Sequence, residues 1–206
     1  MNQLRLFSVA LHSYLPRVQG SSKRRETRAP ERLVWAVDLL DIQPADHVLE
    51  IGCGTGAAAA LVCEKLERGK LLAIDRSSAA IRAARDNNKK HVRTGRAEFV
   101  RTSLQAAKLD RHRFDKIFAF NVGSLRKDTS SELGLLLEAL QPNGQLCLFE
   151  QPPSAAKTGS VADALLQALS TNGFTVRDIV FHELKPAPVV CLIASIARVA
   201  RARAKR

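Results

Sequence analysis

Apolar and polar positions follow two rhythms along this chain, and their alternation predicts its elements. Leu33, Val37 and Leu40 mark one face of a helix over Glu31 to Leu40, opened by Pro30. Val48 to Ile51 is a short strand interrupted only by Glu50. Ala58, Leu61, Val62 and Leu66 form a helical stripe that Gly69 ends. Lys70 to Ile74 is an apolar strand closing at Asp75, after which Ser77 or Ser78 caps a helix running to about His91. A third strand at Ala97 to Arg101, a short helical piece near Leu104 and a fourth strand at Phe114 to Phe120 follow. Leu133, Leu136, Leu137 and Leu140 repeat at helical spacing, so Ser131 to Leu140 is a helix. Pro142-Asn143-Gly144 then reads as a turn and Gln145 to Phe149 as a fifth strand. A helix from Val161 to Ser170 ends at Asn172-Gly173, and two β-rich runs, Phe174 to Phe181 and Val189 to Ile196, close the pattern.

Strands alternating with helices predict an α/β fold, a doubly wound and mainly parallel sheet of seven strands with helices on both faces. Right-handed crossovers place the C-terminal ends of the parallel strands along one edge, and ligands bind there where the strand order reverses. Asp75, Thr102-Ser103, Asn121 and Glu150 all end or follow strands at that edge. So does the stretch Gly52-Cys53-Gly54-Thr55-Gly56.

Glycines between a strand and a helix let the backbone turn sharply and let a ligand approach, with exposed N–H groups as a cradle. Read loosely, Gly52-x-Gly54-x-x-Ala57 also fits the dinucleotide fingerprint, and such a turn can be purely structural. A P-loop is excluded, since no Gly-Lys-Ser/Thr follows the glycines. The full run Leu49-Glu50-Ile51-Gly52-Cys53-Gly54-Thr55-Gly56 has an acid two places before its first glycine. In this it resembles the first motif of class I S-adenosylmethionine-dependent methyltransferases. Strands that bind nicotinamide dinucleotides usually run apolar into the first glycine.

Asp75 lies 19 residues beyond Gly56, at the end of the second strand. A carboxylate there can accept both ribose hydroxyls of either cofactor class, or it can serve as a turn acid beside a Ser77 cap. Arg76 can lie over an adenine face; in a dehydrogenase it would suit a 2′-phosphate. Glu50 sits among apolar residues, where a carboxylate is costly unless bonded. Loop N–H groups or a ligand ammonium reached through water would satisfy it. The resemblance extends over about residues 47 to 150 and includes Phe114 to Asn121, similar to the family's fourth strand and the motif after it. It implies S-adenosylmethionine as cofactor, held by Glu50, Gly52, Cys53, Gly54, Thr55, Gly56, Asp75, Arg76, Ser103, Leu104 and Asn121. Asn121 would stand beside the reactive methyl group. Two departures stand out. The family usually offers an acid to the adenine amino group after the third strand, where Thr102-Ser103 stand here. Asn121-Val122-Gly123-Ser124 lacks the Asn-Pro-Pro-aromatic of many base-amino methyltransferases.

At 206 residues the chain suits one such domain, over residues 30–197. Cys53, Cys63, Cys147 and Cys191 are far apart with no Cys-x-x-Cys pair, which argues against a zinc site or a disulfide framework and for reduced thiols in the cytoplasm. The formal net charge of +12 resides mostly in the ends: residues 1–32 and 198–206 contribute +5 each, leaving +2 between them. Basic tails of this kind give at most weak, non-specific nucleic-acid binding or simple solvation. No apolar run has membrane-spanning length. Residues 1–29, with a short amphipathic stretch from Leu4 to Leu15 and a Gly20-Ser21-Ser22 link, are expected to lid the site, bringing His12 and Tyr14 near it. None of the five histidines falls in a recognisable motif, and no catalytic base or metal ligand is named. The expectation is methyl transfer to a small-molecule acceptor. An NAD(P)-dependent reductase is the first alternative, and its weakness is that Tyr14, upstream of the loop, is the only tyrosine. A nucleic-acid-associated methyltransferase is the second.

Overall fold

A computed structural model describes residues 29–109, 114–126 and 130–197. Residues 1–28, with the expected helix, lid, His12 and Tyr14, lie outside the described residues, as do His112 and the basic tail at 198–206.

Seven strands form one sheet: β1 (His47–Ile51), β2 (Lys70–Asp75), β3 (Ala97–Arg101), β4 (Phe114–Phe120), β5 (Leu140–Glu150), β6 (Phe174–His182) and β7 (Val189–Ile196). Their order is β3-β2-β1-β4-β5-β7-β6. The first five pair in parallel, whereas β7 enters antiparallel between β5 and β6. The order reverses at β1, which pairs with β2 on one side and β4 on the other.

Alternating side chains divide the interior into two cores. Val48, Leu71, Ala73, Phe99, Phe118 and Phe149 pack beneath α1 (Glu31–Leu39), α2 (Ala57–Lys65) and α3 (Ser78–Asn87). Leu49, Ile51, Ile74, Ile117, Leu146 and Leu148 pack on the other face, beneath α5 (Ser130–Ala139) and α6 (Thr158–Thr171). Burying Phe99, Phe118 and Phe149 almost completely stabilises the fold by about 1.5–3 kcal/mol for each ring. Trp35 packs on this face, stacking on His182 with centroids 5.0 Å apart and meeting Phe149 edge-on at 5.8 Å.

The structure corrects three of the expected elements. The helix expected to reach His91 stops at Asn87, and α4 (Lys89–Arg93) restarts it. Asn88 makes the break: its side chain donates to the Ala84 and Gly56 carbonyls, which draws it out of helical register. Near Leu104 there is a turn, not a helix, because Ser103 Oγ accepts the Ala106 N–H and closes it within one turn. The expected turn at Pro142-Asn143-Gly144 lies inside β5. Leu140 pairs with Phe114 and Gln145 with Lys116, so these residues bulge out between two paired stretches. Proline has no N–H for a ladder, and a bulge is where a strand tolerates it.

Candidate functional site

The C-terminal ends of β1, β2, β3 and β4 surround a cavity of about 830 Å³. Gly52, Asp75, Arg76, Ser103, Leu104 and Asn121 line it, six of the residues named from the sequence. Glu50, Cys53, Gly54, Thr55 and Gly56 adjoin it without lining it. Thr102, Gln105, Phe120, Val122, Gly123 and Glu132 complete the wall with Ile51 and Ile74.

The glycine loop is shaped by its own protein contacts. Gly52, Gly54 and Gly56 all have positive φ, at 72°, 53° and 76°, where a side chain is strained. A Cβ at Gly52 would come within 2.7 Å of Val122, and one at Gly56 within 2.6 Å of Asn88. At Gly54 it would meet nothing within 4 Å, so the loop is open there. The expected exposed N–H groups are mostly engaged already. Gly52 and Cys53 donate to the Ile74 carbonyl, Gly56 to the Cys53 carbonyl and Gly54 to Asp75. The exit from β1 leaves the Gly52 and Cys53 donors beside β2, where the carbonyl of its penultimate residue accepts both.

Asp75 is the hub of this arrangement. Its Oδ2 accepts the Gly54 N–H at 2.9 Å and its Oδ1 the Ser77 N–H at 2.8 Å. Ser77 in turn caps α3, accepting the Ala80 N–H at 3.2 Å. The turn role weighed from the sequence is therefore present, and each carboxylate oxygen retains a lone pair for a further donor. Two residues that the sequence did not single out hold the loop from α3. Asn87 donates to the Thr55 carbonyl and Asn88 to that of Gly56, both at 3.0 Å.

Glu50 lies on the same face of β1 as Val48 and is 4% exposed. Among the described residues no N–H of the loop bonds to it, and its Oε2 is buried without a partner. Burial, with a smaller contribution from the charge of Asp75, pushes its carboxyl up to about 8. A cation beside Glu50 would satisfy it. The thiol of Cys53 is also held far above its ordinary range, chiefly by burial and then by Glu50 and Asp75, so it is no nucleophile. All four cysteines are buried and free.

Asn121 follows β4 with φ 55°, an unusual value for a residue with a side chain. Its Oδ1 accepts the Gln151 N–H at 2.7 Å, and Gln151 Nε2 donates to the Ala187 carbonyl. Gln151 thus ties the lips of β4 and β5. Arg32 stands 6.0 Å from the Phe120 ring, which stacks on Phe149 at 5.7 Å. The described histidines lie elsewhere: His47 donates its N–H to Asp115, His91 faces Glu64, and His182 stacks on Trp35. Among the described residues no group of His, Cys, Asp and Glu could hold a metal ion.

These groups fit a cofactor that carries an ammonium and a ribose. Glu50 offers an unsatisfied buried oxygen, Asp75 offers spare acceptor capacity, and Gly54 leaves room for close approach. The profile of the methyltransferase-domain family matches residues 42–185, which includes β1 to β6. The chain is 28% identical over 165 residues to YdaC, an uncharacterized methyltransferase of Bacillus subtilis, covering 78% of this chain and 88% of that one. An S-adenosylmethionine-dependent methyltransferase from Aquifex aeolicus superposes with a TM-score of 0.65 at 17% identity, covering 80% of this chain and 89% of that one. Magnesium protoporphyrin IX methyltransferase from Synechocystis, solved with bound S-adenosylmethionine, superposes with a TM-score of 0.61 at 14% identity, covering 87% of each chain. The chain belongs to the methyltransferase-domain family, and its fold is the class I fold of the S-adenosylmethionine-dependent methyltransferases on which it superposes.

Proposed function

We propose that this enzyme methylates a small-molecule acceptor, and that the residues named from the sequence hold its cofactor. In this reading Glu50 takes the ammonium, the Gly52–Gly56 loop the methionine portion and Asp75 the ribose hydroxyls. Arg76, Ser103 and Leu104 flank the base, and Asn121 stands toward the methyl group. The bound cofactor supplies a methyl group already activated by its sulfonium. The protein's part is to align an acceptor with it and keep water away, and alignment alone supplies much of such a rate.

The observation that supports the acceptor class is charge: residues 33–197 carry a formal charge of only +2. A nucleic-acid groove would be expected to carry a strong positive surplus. Phe120, which lines the cavity and stacks on Phe149, supports an acceptor with an apolar body at that lip. No catalytic base is assigned. The basic tails serve weak, non-specific contacts in this reading, and residues 1–29 act as a lid. Among the described residues no helix is long and apolar enough to cross a membrane, and we place the enzyme in the cytoplasm.

Calorimetric titration tests the cofactor assignment. S-adenosylmethionine and S-adenosylhomocysteine should bind, and NADH and NADPH should not. The acceptor assignment is tested by methyl transfer from labelled cofactor to a metabolite extract and, separately, to total RNA and DNA. Label entering nucleic acid at a defined position, and no small molecule, would overturn it.

A further inference from the structure

One buried group in the cavity wall has no part in the cofactor contacts given so far. Glu132 stands in the first turn of α5 and is 5% exposed. Gln105 Nε2 donates to its Oε1, across 27 positions of sequence. Its Oε2 is buried and has no hydrogen-bond partner among the described residues. Leaving a buried acceptor unmet costs free energy, and more so for a carboxylate. An acid in a helix's first turn gains from the helix dipole in solvent as well, so the dipole gives no reason to turn it inward. Glu132 and Gln105 both line the cavity, together with Arg76, Thr102, Ser103 and Leu104.

The strand order says which part of a ligand reaches them. Asp75 ends β2, residues 102–105 follow β3, and β3 lies on the far side of β2 from the glycine loop. A nucleoside whose ribose meets Asp75 therefore extends its base toward the 102–105 turn. There the small polar side chains are already engaged: Ser103 Oγ accepts the Ala106 N–H, and Thr102 Oγ1 donates to the Ser103 carbonyl. The strong acceptor within that turn's reach is the carboxylate that Gln105 touches. Adenine presents one amino donor beside a ring-nitrogen acceptor. A carboxylate meets the donor, and a neighbouring carboxamide can meet the ring nitrogen.

We propose that Glu132, positioned by Gln105, accepts the amino group of the cofactor's adenine and so determines which nucleobase the site takes. This rests on the reading that Asp75 holds the ribose. It assigns base recognition to a helix that follows β4, although the residues after β3 stand closer in sequence to Asp75.

The test compares S-adenosylhomocysteine with S-inosylhomocysteine, in which a carbonyl oxygen replaces the amino group, by calorimetry on the full chain. The unmodified enzyme should favour the adenosyl ligand by about 100-fold, since an oxygen facing the carboxylate leaves two acceptors opposed. Glu132→Gln, whose side chain can donate as well as accept, should reduce that preference below about tenfold while the circular dichroism stays native. Should that variant misfold, Gln105→Ala serves in its place, with a preference lowered about three- to tenfold by the loss of positioning. A merely structural Glu132 would lower melting temperature, or both affinities together, and leave the ratio unchanged; an unchanged ratio overturns the proposal. Equal binding of the two ligands by the unmodified enzyme does so too. If S-adenosylhomocysteine itself does not bind, the cofactor reading fails first, which separates the two conclusions.

Discussion

Asp75 accepts the Gly54 N–H at 2.9 Å, so the end of the second strand fixes the middle of a loop 21 residues earlier. Its other oxygen starts α3 through Ser77. Asp75→Ala should therefore lower both the melting temperature and the affinity for S-adenosylhomocysteine, the latter by about 1.5–3 kcal/mol, the usual loss for hydrogen bonds to a charged group. Asp75→Asn, which keeps one accepting oxygen, should fall between. Thermal unfolding and calorimetry on the two variants check this. An alanine variant that melts and binds like the parent would remove Asp75 from both roles.

The buried carboxyl of Glu50 makes stability depend on pH. Held up to about 8 in the fold and near 4.5 when unfolded, it keeps its proton in the folded state across the window where the unfolded chain has released it. Stability contributed this way is complete below about 4.5 and falls by about 1.4 kcal/mol per pH unit until about 8. Glu50→Gln should flatten the slope of urea-unfolding free energy over that window and raise stability at its alkaline end. Parallel slopes for variant and parent would show that Glu50 ionises in the ordinary carboxylate range.

Proton release on binding follows from the same residue. A ligand ammonium favours the charged carboxylate, so binding S-adenosylhomocysteine near pH 7 should expel up to about one proton. Titrations in two buffers of different ionisation enthalpy should give different heats, and Glu50→Gln should abolish the difference. Equal heats for the parent would separate Glu50 from the ammonium.

Asn88 is 1% exposed and donates to both Gly56 and Ala84. Asn88→Ala removes one of two donors from each carbonyl, since Gly56 keeps the Ala60 N–H and Ala84 the backbone N–H of residue 88, and opens a small void; it should cost about 1–2 kcal/mol of stability and some cofactor affinity. Asn87→Ala, at an exposed position, should cost less than about 1 kcal/mol despite its bond to Thr55. Urea denaturation of the pair measures the difference; equal effects would remove the burial argument.

For the tail, deletion of residues 198–206 should reduce the salt dependence of RNA or DNA binding by at most about four to five units of log–log slope, one for each lost charge that touches phosphate. Filter binding across salt concentrations measures it. Tight binding to one sequence that survives the deletion would favour a nucleic-acid acceptor.

The parts of this molecule legible in its sequence are those whose cause is local. Val48 to Gly56 carries strand, turn and helix start within nine residues, and β3 and β4 fall where their apolar runs place them. Asp75 was legible because a strand end and a spacing coincide there. Glu132 was not: beside Leu133 and Leu136 it reads as an ordinary acid on the first turn of an amphipathic helix. Only the fold brings it to Gln105, 27 residues away. Asn88 was hidden for a related reason, since asparagine within a helical run gives no sign that its amide will leave the helix for Gly56. Pro142 reads as a turn because a strand that bulges around proline and a turn share the same residues.

The two asparagines at the end of α3 and the Asp75–Ser77 contact at its start make this helix a splint for the loop. A loop so braced arrives at its ligand already folded, and little chain entropy remains to be lost on binding. The Gly54 amide, bonded inside the protein, should then exchange its hydrogen slowly even before any ligand is present.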